Sequence, residues 1–139
     1  MPSDLGLALD SGNHRLFSVC ANQVLAVTDS ATGKPVARAV IGRGPDGVVF
    51  DPDLGLVFSS NGIDGTLTVI HQDSPDEYRV TATVTTQVSA HTMALDPITH
   101  KIYLAAAQFG PTPAATAEQA NPRAPLVADS FVILVAQPR

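Results

Sequence analysis

One type of segment occurs three times in the chain, and it constrains the fold more than any other feature of the sequence. Each copy places an apolar residue before an aspartate and an aromatic residue seven positions after it. The aspartates are Asp10, Asp51 and Asp96, and the matching aromatic residues are Phe17, Phe58 and Tyr103. Successive aspartates are therefore 41 and 45 residues apart. A period in the forties with strand-like content is typical of a chain built from repeated small sheets.

The composition and the turn chemistry agree with that interpretation. Of the 139 residues, 45% are hydrophobic and only 15% are charged, and 11 Pro and 10 Gly punctuate the chain. Val and Thr favour strands, whereas Pro, Gly and Asx residues favour the turns between them. Two repeats each contain four strand-like segments and the last contains three. The sequence therefore predicts an all-β fold, a partial β-propeller of about three blades of four antiparallel strands, with the last blade lacking its outer strand.

The repeats set the expected organisation of the chain. We expect a single partial β-propeller domain over residues 1–139, with blades at about 5–42, 46–86 and 91–137. Residues 108–129 form a Pro/Ala-rich insertion in the third blade, expected to be a surface insertion or a partly disordered loop. Residues 71–78 are expected to form the outer loop of the second blade. Because propellers generally close with roughly four to eight blades, three blades should expose two apolar faces, which predicts self-association or contact with the remaining blades of a propeller.

Charge and composition exclude several classes of function. The net charge of −5 argues against binding to nucleic acid, which needs a basic surface. No run of about 18 apolar residues is present, so no membrane span is predicted. The single cysteine, Cys20, offers neither an intramolecular disulfide nor a CxxC metal motif. The first residues lack the basic and apolar regions of a signal peptide, so the sequence itself does not indicate a compartment.

Six segments that span nearly the whole chain carry a family resemblance. They are Arg15–Cys20, Asp29–Lys34 with Val36–Ala37, Ile41–Asp46, Phe58–Gly62 with Gly65–Ile70, Thr92–Leu104 and Ser130–Val135. In these segments the chain resembles the YncE-like, YVTN-repeat β-propeller family, and specifically the C-terminal three blades of a seven-bladed propeller. The resemblance is specific for the fold and weak for function.

The resemblance carries its own expectations. It implies that the missing outer strand of the third blade is one that the N-terminal part of a complete ring would supply, and that the protein is periplasmic or secreted. It also suggests single-stranded DNA binding, but the acidic charge and the absence of Trp argue against a basic groove with stacking aromatic side chains. Related rings include propeller lactonases or hydrolases and quinoprotein-dehydrogenase-like subunits, which keeps an enzymatic function open.

One face of the predicted propeller gathers the polar residues that are candidates for binding. Antiparallel order places the loops that enter each innermost strand at the same end as the loops between the second and third strands. This candidate face holds six polar side chains: Asn22, Arg43, Asp46, Asn61, Asp64 and His91. Asp46 and His91 occupy equivalent positions in their repeats, so we expect both near the mouth of the central channel. Such a pair suits a metal or acid–base chemistry, but capping of a turn explains each residue as well.

The remaining candidates favour structural roles. The first repeat has Leu5 at the position of Asp46 and His91, so no third ligand is expected there and no metal site is predicted. The repeated aspartates are expected to accept backbone N–H bonds in the first hairpin of each blade. His14, His71 and His100 are expected to be solvated turn residues. The sequence therefore assigns no catalytic residue, no metal and no cofactor.

The predicted function follows from repeats without a catalytic set. We expect a non-catalytic binding or scaffold module of the YncE-like type, with an unidentified protein or small-molecule ligand on the candidate face. The alternative is an enzyme or enzyme subunit of the propeller lactonase, hydrolase or quinoprotein-dehydrogenase-like type.

Overall fold

A computed structural model describes residues 4–138, with side chains from residue 6 onwards. Eleven strands form three antiparallel sheets within these residues. The first sheet has the order β1-β2-β3-β4. Its strands are β1 (Asp4–Asp10), β2 (Arg15–Cys20), β3 (Val24–Asp29) and β4 (Pro35–Val40).

The second sheet repeats this order and the third repeats its first three strands. The second sheet is β5-β6-β7-β8: β5 (Pro45–Asp51), β6 (Leu56–Asn61), β7 (Thr66–Ser74) and β8 (Glu77–Thr85). The third is β9-β10-β11: β9 (Thr92–Leu95), β10 (Ile102–Ala106) and β11 (Val132–Ala136). The prediction of a partial β-propeller whose last blade has three strands is confirmed for the described residues. Between residues 4 and 138, no helix is long and apolar enough to cross a membrane.

Each blade has two faces, because successive side chains of a strand point to opposite sides of the sheet. We call the forward face of the first blade the side that carries Phe17, Val19, Leu25 and Val27, which are all buried. It packs on the backward face of the second blade, which carries Val48, Phe50, Val57 and Ile70. The rings of Phe17 and Phe50 lie 5.1 Å apart at this contact. This is the first inter-blade core.

The second inter-blade core repeats the arrangement one blade further on. The forward face of the second blade carries Phe58, Leu67 and Val69. It packs on the backward face of the third blade, which carries Met93, Leu95, Ile102, Leu104 and Leu134. The second blade therefore sends alternate residues of each strand into two different cores. That alternation explains why its two inner strands carry consecutive apolar residues, Val48–Phe50 in β5 and Leu56–Phe58 in β6.

The prediction that residues 71–78 form an outer loop is wrong. β7 runs to Ser74 and β8 begins at Glu77, and these two residues pair, so the connection is only a tight turn. The sequence is polar here, but a hairpin that projects from the sheet needs backbone pairing more than apolar side chains. Arg15 of the first blade holds the tip: its Nε donates to the Pro75 carbonyl at 2.9 Å, and its guanidinium pairs with Asp76 at 2.7 Å.

The segment between β10 and β11 is closed at its base by a few backbone contacts. Phe109 and Leu126 form an isolated antiparallel bridge. The Gly110 N–H donates to the Pro125 carbonyl and the Val127 N–H to the Gln108 carbonyl, at 2.8 and 2.9 Å. Most of residues 108–129 are exposed and none lies in a strand. The segment thus projects from the sheet at the end where the second and third strands of the blade connect.

Candidate functional site

Three loops of the second and third blades meet at one end of the sheets and border a shallow cleft that is open to solvent. The Gly62 N–H donates to the Gly44 carbonyl at 2.8 Å, and the Ser89 N–H donates to the Gly62 carbonyl at 2.8 Å. These bonds join the loop before β5, the loop between β6 and β7, and the loop before β9. The cleft has a volume of about 510 Å³. It is lined by Gly44, Pro45, Asp46, Gly62, Ile63, Val88, Ser89 and His91.

Asp46 and His91 form a pair in this cleft. The Asp46 carboxylate lies 2.6 Å from Nδ1 of His91, and each side chain is about half exposed. A carboxylate at Nδ1 favours the tautomer that carries its proton there, which leaves Nε2 as a hydrogen-bond acceptor or base. The two residues that the repeat places at equivalent positions are therefore in direct contact, and they present one carboxylate and one imidazole to solvent.

The backbone under His91 is held by a hydroxyl of the neighbouring blade. Ser60 donates from its hydroxyl to the His91 carbonyl, and it accepts the Gly47 N–H at 3.0 Å. The backbone at Gly47 and the backbone at His91 approach so closely that a Cβ added at Gly47 would lie 2.7 Å from the His91 carbonyl oxygen. Glycine is therefore required here, since any side chain would push the third blade's entering loop away and separate His91 from Asp46.

Arg43 and Asp64 form a second pair at the rim. Asp64 accepts the Arg43 backbone N–H at 2.8 Å and its Nε at 2.7 Å. The backbone N–H of Arg43, followed by its guanidinium, holds the pKa of Asp64 below its ordinary value. Both residues are solvent-accessible, so the pair braces two loops of the second blade and contributes little to stability by itself.

The two asparagines of the candidate face lie outside the cleft. Asn61 is fully buried at the end of β6. Its amide donates to the hydroxyls of Thr66 and Thr68 at 3.1 and 2.9 Å, and its oxygen accepts from Ser59 at 3.1 Å. Asn22 is exposed in the turn between β2 and β3 of the first blade and does not line the cleft. The structure thus brings Asp46 and His91 together at the cleft, with Arg43 and Asp64 at its rim.

The hydroxyl of Ser89, which lines the cleft, is hydrogen-bonded to the backbone. Ser89 donates to the Ala107 carbonyl at 2.5 Å and accepts the Ala107 N–H at 3.2 Å. These two bonds tie the entering loop of the third blade to the end of its β10. A serine held in this way is not placed to act as a nucleophile activated by the His91 imidazole, because activation requires a hydrogen bond between the hydroxyl and the base.

At the opposite end of the sheets, the expectation that His100 is a solvated turn residue is wrong. Nδ1 of His100 lies 2.6 Å from the buried carboxylate of Asp51, which also accepts the backbone N–H groups of Asp53 and Leu54 at 3.1 and 3.3 Å. The turn bonds of Asp51 confirm its expected structural role. The contact with the next blade was not predicted, because the sequence has no repeated signal for the partner.

A ligand atom from each of Asp51, Asp53 and His100 lies within 4.8 Å of the others, so these residues are a candidate divalent-metal cluster. The first repeat explains the geometry without a metal. There the equivalent oxygen, Oδ2 of Asp10, accepts the amide of Gln72 at 3.0 Å and that of Asn13 at 2.8 Å. An amide N–H fills the position that His100 fills at Asp51, which favours a hydrogen bond between blades at both places.

Solved structures share this fold at low sequence identity. Kuenenia stuttgartiensis hydrazine synthase is similar with a TM-score of 0.69 and 12% identity, over 81% of this chain and 31% of that chain. Saccharomyces cerevisiae Sqt1 gives 0.67 and 11%, over 76% and 29%. A chain of the mitotic checkpoint complex gives 0.64 and 15%, over 71% and 32%.

These similar structures are of the β-propeller type. At such identities the likeness establishes the fold alone, and the chain spans about a third of the length of the structures it matches. Neither a protein-family model nor a curated protein matches the sequence.

Proposed function

We propose that the chain is a non-catalytic binding module of the YncE-like propeller type, which takes its ligand in the cleft between the second and third blades. The observation that carries this proposal is the Asp46–His91 pair, half exposed within a cleft of about 510 Å³. Sites for small molecules are commonly clefts of about 300–1,000 Å³ with apolar walls and a few convergent polar groups.

The lining indicates the chemistry of the ligand. Ile63 and Val88 stand at the cleft with most of their surface exposed. Burying such side chains against an apolar group is favourable. The Asp46 carboxylate beside them accepts hydrogen bonds and favours a positive charge. The cleft therefore suits an amphipathic ligand, with an apolar body between Ile63 and Val88 and a donor group, such as an amine, on Asp46.

The test is an NMR titration of the ¹⁵N-labelled chain with small aliphatic and aromatic amines, and with alcohols of matched size as neutral probes. We expect amide shifts confined to residues 44–46, 62–64 and 87–92, larger for amines than for alcohols. Asp46→Asn should abolish the preference for amines, because it removes the carboxylate charge. Asp53→Asn, the same change at the opposite end of the sheets, should preserve it. Shifts scattered over the surface, or an amine preference that survives Asp46→Asn, would contradict the proposal.

An enzymatic function would rest on the same pair. A carboxylate at Nδ1 of His91 is the arrangement that orients a general base, which favours a hydrolase or lactonase over a quinoprotein-dehydrogenase-like subunit. Assays with simple lactones and esters, using the wild type and His91→Gln, separate catalysis from binding. Turnover by the wild type that is lost in His91→Gln would establish an enzyme. The binding proposal predicts no turnover by either protein. It also predicts that, in the amine titration, the amide signals outside the cleft behave in the same way in both proteins.

A further inference from the structure

The two ends of the blade stack carry the same kinds of surface that are buried inside it. The strand registers match position by position: Phe17 pairs with Val27, Phe58 with Val69, and Tyr103 with Val135. One step along, Val19 pairs with Leu25 and Ala105 with Ile133. Tyr103, Ala105, Ile133 and Val135 therefore form the forward face of the third blade.

This forward face is exposed where its equivalents are buried. Phe17 and Val27 of the first blade are 0% and 1% exposed, because the second blade covers them. Their equivalents in the third blade, Tyr103 and Val135, are 37% and 53% exposed, and Ile133 is 51% exposed. The third blade thus has the residues of an inter-blade core without a blade against them.

The first blade shows the complementary surface. Leu9 pairs with Leu16 as Phe50 pairs with Val57, so Leu7 and Leu9 occupy the positions of Val48 and Phe50. Val48 is 8% exposed, whereas Leu7 and Leu9 are 67% and 54% exposed. The backward face of the first blade therefore carries Leu7, Leu9 and Leu16. In the second and third blades, the equivalent backward face is covered by the forward face of the preceding blade.

We propose that these two surfaces bind each other between two copies of the chain, with the forward face of the third blade of one copy docked on the backward face of the first blade of its partner. The contact repeats the inter-blade interface that the fold uses twice. It goes beyond ligand binding in the cleft and does not depend on it.

The number of blades selects a pair of copies. A head-to-tail contact joins two different patches, and it forms a ring if the rotation closes. Propellers close with roughly four to eight blades. The described residues of one copy supply three sheets, so those of two copies supply six, and those of three copies would exceed that range. A dimer in which both contacts form leaves neither apolar face in water.

The internal interface shows which residues should meet. The Phe17 and Phe50 rings lie 5.1 Å apart. Tyr103 is the equivalent of Phe17, and Leu9 is the equivalent of Phe50. Tyr103 of one copy should therefore lie next to Leu9 of the other, whereas the two copies of Tyr103 should lie in separate interfaces.

The test is crosslinking with a short bismaleimide, in the full chain carrying Cys20→Ser. The two reporters are Leu9→Cys and Tyr103→Cys, and circular dichroism checks that each retains its sheet content. A mixture of the two variants should give a crosslinked dimer, and each variant alone should not. Thr83→Cys, an exposed position on the outer strand β8 of the second blade, mixed with Leu9→Cys is the control and should remain uncrosslinked.

Two results would overturn the proposal. A dimer formed by Tyr103→Cys alone would show that like faces meet in a symmetric contact. No crosslinking in the mixture, with both variants folded, would show that the faces do not meet, and that they are suited to blades of another chain.

Discussion

At the scale of single residues, the repeated aspartate uses its two carboxylate oxygens for different contacts. In Asp51, Oδ1 accepts backbone N–H groups of its own turn and Oδ2 faces His100 of the next blade. In Asp10, Oδ1 accepts the Asn13 N–H and Oδ2 accepts the Gln72 amide of the next blade. In the first two repeats, the aspartate that marks the repeat therefore also joins neighbouring blades, whereas both oxygens of Asp96 accept hydrogen bonds from its own turn.

Replacing Asp51 tests this link between blades. Asp51→Asn places an amide where His100 needs an acceptor, within a buried site. We expect the free energy of unfolding to fall by about 1–3 kcal/mol, as for other lost hydrogen bonds to a charged group. Asp53→Asn, an exposed residue of the same turn, should change it by less than about 0.5 kcal/mol. Urea denaturation measures both, and equal losses would contradict the link and indicate a metal held by both carboxylates.

The Asp10 contact predicts a specific dependence on pH. Burial acts to raise the pKa of Asp10, but the hydrogen bonds from Gln72 and Asn13 outweigh it and keep the pKa below its ordinary value. A carboxyl of this kind stabilises the fold above its unfolded pKa of about 3.9, and that stabilisation is lost as the pH falls through the folded pKa.

Removing the Gln72 amide should therefore weaken that dependence. We expect Gln72→Leu to raise the pKa of Asp10 and to reduce the loss of unfolding free energy between neutral and acidic pH. NMR titration of the side-chain carboxyl gives the pKa directly. Gln87→Leu, the same change on the candidate face, should leave it unaltered. A pKa of Asp10 that is the same in Gln72→Leu and wild type would show that the amide does not set it.

At the scale of elements, the repeat predicts the strands better than their ends. The predicted number of strands in each repeat, four, four and three, is confirmed. β7 and β8 extend to Ser74 and Glu77 because backbone pairing continues through polar residues. Asn61 was expected in a loop but ends β6, where the register turns its side chain inward against Thr68. An error of one residue at a strand end thus changes which face a side chain occupies.

The candidate site could be predicted only where both members follow the repeat. Asp46 and His91 precede their innermost strands by the same step, so their proximity follows from the stacking of blades. Gln72 and His100 perform the same task at Asp10 and Asp51, but one lies in β7 and the other in the turn before β10. The sequence has no common position that would identify them.

The outer strand β11 remains an open edge of the third sheet among the described residues. Beside it lies an apolar pocket of about 130 Å³, lined in part by Leu56, Val69, Val84 and Ala136. Edge strands with free backbone groups favour pairing with another chain. The edge and the exposed forward face lie on the same blade, so the third blade offers two surfaces that favour association.

At the scale of the whole molecule, the described residues form a stack of three blades held by two equivalent cores. Each end of this stack carries one half of a further core. Leu7 and Leu9 at one end, and Ile133 and Val135 at the other, expose apolar surface that a stable monomer would bury. The proposed head-to-tail dimer buries both sets without any new kind of contact. The proposed ligand cleft lies between the second and third blades, and one copy supplies the residues that line it.

The solution mass of the chain tests this account most directly. Sedimentation equilibrium should give a single species of twice the 14.4 kDa chain mass. Ile133→Asp, which places a charge in the forward face, should convert it to the single-chain mass while the sheet content is retained. A wild type that still sediments at 14.4 kDa would contradict it, if the protein concentration is about 100 times a dissociation constant in the micromolar range. An open series of larger species would contradict it as well.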